Sequence, residues 1–170
     1  MNDPIPTIRA VLATTPARWT ALTAALPADL LARPLTPGEW SPLHCLHHLL
    51  ATELLFRGRA FHLLAEEDFP AYDPDAAGAT QGAGDPAAVA ASFAAARAES
   101  LVALQRVSDA DLGRAARHAE LGLVTLRELL HEWAAHDLMH TMQGERALMQ
   151  PFIAGCGPWQ GYFRAHLAGA

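Results

Sequence analysis

Residues 125–143, TLRELLHEWAAHDLMHTMQ, are the most informative run in the chain for its architecture. Thr125 and Glu128 are the two ends of a capping box, in which each side chain takes up one orphan backbone N–H at a helix start. Behind them, Leu129, Trp133, His136 and His140 recur at spacings of four, three and four. Such positions share one face of an α-helix. The first two are large and apolar, so that face points at a core, and the two histidines continue it. The helix is expected to run to about Met149, with Pro151 and the 155–158 Gly/Pro cluster as breakers.

Two imidazoles one turn apart can grip one metal ion. The spacing also arises by chance, and a lone buried histidine is more often a satisfied core residue. The zinc-protease pattern His-Glu-x-x-His is not met, because His131-Glu132-Trp133-Ala134-Ala135-His136 is one residue too long. Glu132 is one turn from His136, placed either to orient it or to make a local surface pair.

Upstream, Ser41-Pro42 reads as a cap plus a first-turn proline, opening a helix to about Glu66. It is apolar on most sides (Leu43, Leu46, Leu49, Leu50, Leu54, Phe56), the mark of a helix buried in a bundle. It carries His44, His47 and His48, and spacing alone leaves open which of them faces His136 and His140.

Residues 4–26 carry a helical stripe of Ile8, Val11, Leu12, Trp19, Leu22 and Leu26. Pro16 predicts a break there, with a restart capped by Thr15. Residues 27–40 form a connector with Pro34, Pro37 and Gly38. Residues 67–85, rich in Asp, Pro, Gly and Ala, form a long surface loop, either a lid or a tolerated insertion. Asp85-Pro86 caps a third helix to about Val107, with Val89, Phe93, Ala96, Leu101 and Leu104 inward. Residues 108–124 are a polar connector, and 159–167 a short C-terminal helix across the bundle. The expectation is one all-α domain over residues 1–170, an up-and-down four-helix bundle with a short extra helix.

The composition agrees. In 170 residues, 51% hydrophobic and 18% charged is a globular balance with ample core. A net charge of -6, with 12 scattered Lys+Arg, gives no basic face for nucleic acid. Cys45 and Cys156 are the only cysteines and make no disulfide framework. Neither a signal peptide nor a membrane span of roughly 20 apolar residues is read, so a cytoplasmic protein is expected.

Trp40-Ser41, then His48-Leu49, then Glu53 resembles the W-S-x-x-x-x-x-x-H-L-x-x-x-E signature of the DinB/YfiT-like superfamily. His136-Asp137-x-x-His140-x-x-Gln143 resembles its second signature, and Gly157-Pro158-Trp159 resembles one of its branches. The resemblance covers nearly the whole chain in the expected order. It implies a four-helix bundle holding a divalent metal ion, zinc or nickel, on His48, His136 and His140. The register from Trp40 is what selects His48. It further implies a small-molecule substrate, with a low-molecular-weight thiol as co-substrate in an S-transferase or isomerase reaction.

Three neutral imidazoles leave a coordination position open, the pattern of a catalytic site. Such a site suits thiol transfer, the favoured reaction, and equally the hydrolysis of an ester or amide. The rivals are a non-enzymatic metal- or ligand-binding bundle and a metal-free bundle with three core histidines. Glu53, Asp137 and Gln143 are expected to orient the ligands by hydrogen bonds. Cys45 is read as a small buried residue, quieted by apolar surroundings. His62, His118, His131 and His166 are read as surface or packing residues. Apolar residues beyond a single stripe suggest a twofold dimer.

Overall fold

The computed structural model describes residues 4–71 and 84–167. Four long helices form the bundle: α1 (Ile5–Ala25), α3 (Pro42–Ala65), α4 (Pro86–Leu104) and α5 (Leu126–Gly155). A one-turn helix, α2 (Ala28–Leu31), sits in the first connector, and a 3-10 stretch (Gly157–His166) closes the chain. The central part of the long loop, 72–83, with its reading as a lid or insertion, lies outside the described residues.

The caps read from the sequence are made. The Ser41 hydroxyl accepts from the His44 N–H, and the His44 ring Nδ1 accepts from the Ser41 N–H. His44 thus takes the place of the usual Glu in a capping box. At α5, Thr125 accepts from the Glu128 N–H, and the Glu128 carboxylate accepts from the Thr125 N–H at 2.7 Å. Each cap is worth about 1 kcal/mol.

The four-helix bundle is as expected, but its helices do not alternate up and down as the sequence reading has them. Contacting pairs are α3 with α5, α1 with α4, α3 with α4, and α1 with α5. The consecutive helices α1 and α3 are therefore diagonal to each other. One end of the core joins Ile8, Leu63, Leu104 and Leu126, and the other joins Trp19, Leu43 and Ala90. Hence α3 and α4 both run from the second end to the first, and the chain goes up, down, down, up. The link from α3 to α4 allows this. Its 20 residues can reach about 66 Å when extended, against about 36 Å for the length of α3.

Three local expectations are corrected. Pro16 does not break α1, which continues through it. A proline nitrogen cannot donate to the carbonyl four residues back, here that of Leu12. That carbonyl is instead satisfied by the Arg97 guanidinium at 2.7 Å. Nor does Pro151 end α5, which extends to Gly155; in the turn before it, the Gln150 side-chain amide donates to the Arg146 carbonyl. Residues 108–124 are not a plain connector. They hold a hairpin of β1 (Ala115–His118) and β2 (Gly122–Thr125), paired antiparallel with Ala115 opposite Thr125 and His118 opposite Gly122. Gly122, at φ 78°, supplies the left-handed residue that a three-residue hairpin loop needs. Phe69 adds a parallel bridge to His118.

Among the described helices, α4 alone is long and apolar enough to cross a membrane by length and composition. It packs against both α1 and α3, yet only 28% of that stretch is buried, and exposed alanines (Ala87, Ala88, Ala91, Ala95, Ala98) supply much of its apolar count.

Candidate metal centre

α3 and α5 pack face to face, and this contact carries the site. His48 comes from α3, and His136 and His140 come from successive turns of α5. Their ligand-capable nitrogens all lie within 4.8 Å of one another, and the Nε2 atoms of His48 and His136 are 3.0 Å apart. Two imidazoles on one tetrahedral ion, at about 2.0–2.1 Å each, hold their nitrogens roughly 3.3 Å apart. The His48–His136 pair is already near that spacing, and the third imidazole would close in on an ion from within 4.8 Å.

The surroundings keep these rings neutral, the form that coordinates. Burial pushes His48 down to about 4, and the neighbouring His140 adds to the effect. Burial also pushes His136 down to about 3, helped by His140, His48 and Arg97. His140 is lowered too, by burial, with Gln143 and Asp137 pulling it back. The walls are aromatic. Trp40 lies against His48 at 4.8 Å between ring centroids and stacks on His140 at 5.5 Å, while Phe56 meets His136 edge-on at 5.0 Å. Trp40 and Gln143 also border an open groove of about 790 Å³ that includes Met139, Met142 and Met149.

The residues expected to orient the ligands divide. The Gln143 Oε1 lies 2.9 Å from the His140 Nδ1, which leaves the His140 Nε2 for the cluster. The hydrogen bonds expected from Glu53 and Asp137 to the histidines are not seen among the described residues; both carboxylates are taken up by Arg97. Its Nε and Nη2 donate to Glu53 at 2.8 and 2.7 Å, and its Nη1 and Nη2 donate to Asp137 at 2.6 and 3.0 Å. Burial pushes the Asp137 carboxyl up, and its bonds to Arg97 and Thr15 pull it back. The Nδ1 atoms of His48 and His136 have no partner among the described residues. Of the rival histidines on α3, His44 spends its Nδ1 on the helix cap. Glu132 makes no hydrogen bond to His136 among the described residues, and it lines a separate pocket with Arg59 and His118. Cys45 is buried, and its thiol is pushed up to about 12 by burial, which makes it inert.

Sequence reasoning missed Arg97. It is 1% exposed and binds groups from α1, α3 and α5 at once. The signal was present: Phe93, Arg97, Ser100 and Leu104 follow a four, three, four spacing, with an arginine inside an inward stripe.

Fold and cluster together define a class, a four-helix bundle with three histidines able to hold one divalent metal ion between two facing helices. The comparisons agree on the fold. The sequence pattern of the DinB superfamily matches residues 12–143, and the chain belongs to that superfamily. No curated protein matches it significantly. Among solved structures, YfiT from Bacillus subtilis superposes with a TM-score of 0.75 at 21% identity, over 87% of each chain. That protein is described as a probable metal-dependent hydrolase with an unusual four-helix bundle topology.

Proposed function

We propose that this protein is a metal-dependent hydrolase acting on a small ester or amide, with zinc or nickel held by His48, His136 and His140. The observation that carries the reading is the convergence of three neutral imidazoles from two helices, with no carboxylate or thiolate among them. A divalent ion bound there would polarise a coordinated carbonyl and acidify a coordinated water or thiol. The chain's own residues do the rest. Gln143 fixes the tautomer of His140. Trp40 and Phe56 exclude bulk water from the cluster and strengthen the electrostatics inside it. The groove beside Trp40 and Gln143 offers an apolar wall for a substrate.

Thiol transfer, the reaction favoured from the resemblance, finds no distinguishing feature at this site. The description of YfiT as a probable hydrolase tips the balance toward water as the nucleophile. The test is elemental analysis of untagged protein, followed by turnover of an ester and amide panel with and without a low-molecular-weight thiol. About one equivalent of metal and thiol-independent hydrolysis, both lost in His140→Ala, are expected. Turnover that requires the thiol would replace hydrolysis by S-transfer. Metal without turnover in either arm would leave a binding module, and no metal would remove the reading altogether.

A further inference from the structure

A second pocket, of about 230 Å³, lies where the hairpin meets the α3–α5 groove. Its polar residues include Arg59 of α3, His118 of β1 and Glu132 of α5, and its apolar walls include Phe69, Leu121 and Leu129. His118 is 5% exposed. Its Nδ1 accepts from two backbone N–H groups, Glu120 at 3.1 Å and Leu121 at 3.2 Å. A nitrogen that accepts carries no proton, so the ring proton of the neutral imidazole sits on Nε2. The neighbour of Nε2 is the Arg59 Nη2, at 3.2 Å. A guanidinium has donors and no acceptor. Two donors therefore face each other across a hydrogen-bond distance, and neither can satisfy the other. The opposite tautomer would set the Nδ1–H against two backbone N–H groups, a worse arrangement. A buried donor without an acceptor is costly, so an acceptor belongs beside the His118 Nε2.

We propose that this pocket binds the carboxylate of a small, largely apolar ligand, received by the His118 Nε2–H and the Arg59 guanidinium. Arginine suits a carboxylate, because its donors lie in a plane that matches the two oxygens. The ring of Phe69 under Arg59, 5.5 Å from the guanidinium carbon, holds that plane in place and extends an apolar wall for the body of the ligand. Two carboxylates of the protein also line the pocket. Glu128 is committed to the Thr125 N–H and hydroxyl. Glu132 is exposed as a residue, and partial burial raises its carboxyl while Arg59 pulls it back, so its charge is the easier of the two to give up. The inference stands apart from the metal centre, since neither His118 nor Arg59 belongs to it.

The test uses the full chain carrying His140→Ala, so that no bound metal competes for the probe. Histidine-ring ¹H–¹⁵N spectra of ¹⁵N-labelled protein, with His118 assigned by its loss in His118→Gln, report the tautomer directly. An Nε2–H ring is expected. Benzoate should shift its signals saturably, whereas benzyl alcohol and benzylamine at equal concentration should not. Arg59→Met should weaken benzoate binding at least about tenfold, the scale of a charge-assisted hydrogen bond. An Nδ1–H tautomer, a His118 ring untouched by benzoate at tens of millimolar, or equal shifts with benzylamine would overturn the proposal. The tautomer and the titration are read with Arg59 and His118 intact, so the proposal can be overturned whether or not Arg59→Met folds.

Discussion

Replacing Arg97 by methionine is the most searching perturbation of this fold. The side chain is 1% exposed, and its two carboxylate partners are as deeply buried. Methionine leaves Glu53 and Asp137 facing each other without a cation, and the Leu12 carbonyl opposite Pro16 without a donor. Removing one partner of a buried ion pair costs about 3–5 kcal/mol, most of it the burial of the charge left behind. For a chain of this size that corresponds to a fall in Tm of roughly 6–20 °C. The sign of the pH dependence follows from the pair. Burial already raises the Asp137 carboxyl, and Arg97 is the main influence pulling it back. Without Arg97 the folded-state pKa rises further. A carboxyl whose folded pKa lies above its unfolded value of about 3.9 keeps its stability below that value and loses it as pH climbs through the folded pKa. The penalty of Arg97→Met should therefore be largest at pH 7 and shrink toward pH 4. Urea unfolding of wild type and variant at both values measures it. A loss below about 1 kcal/mol at pH 7, or one independent of pH, would refute the view that one guanidinium ties the four helices together.

Other perturbations have equally definite outcomes. Alanine at Gly144 would place its Cβ 2.7 Å from the Trp19 ring, which is fully buried; overpacking of about 1–3 kcal/mol should outweigh the gain in helix propensity, and an unchanged or raised Tm would count against this. His48→Ala and His136→Ala should each abolish stoichiometric metal, while His44→Ala and His131→Ala retain it; loss of metal in His44→Ala with the helix intact would move the third ligand. An all-histidine site would ordinarily shed metal below about pH 6. Here the folded-state values of His48 and His136, about 4 and 3, keep the rings neutral further down, so metal should survive dialysis near pH 5. The same lowered values mean that stability of the metal-free protein, present above about pH 6.5, is lost as pH falls through 4. Half-loss of metal at pH 6 or above would contradict both. The exposed apolar side chains Leu54, Phe61 and Val102 lead us to expect a twofold dimer, and light scattering showing only an 18.2 kDa particle would exclude it.

What the sequence determined by itself is local and periodic. The four, three, four spacing of Leu129, Trp133, His136 and His140 put both α5 histidines on the inward face, because helical geometry fixes which residues share a side. Ser41 and Thr125 marked the helix starts, because a cap is satisfied within a few residues of chain. The contacts that packing alone creates are pairwise and distant. Pro16 reads as a break until Arg97, 81 positions later, is found donating to the carbonyl that Pro16 cannot serve. Glu53 and Asp137 read as partners of the histidines until the same guanidinium claims them. The parallel run of α3 and α4 and the meeting of Arg59 with His118 are likewise invisible along the chain. Periodicity tells which way a side chain faces; what it meets there depends on how separate helices pack. A buried charge or carbonyl must find its partner across that packing, however far away in sequence the partner lies.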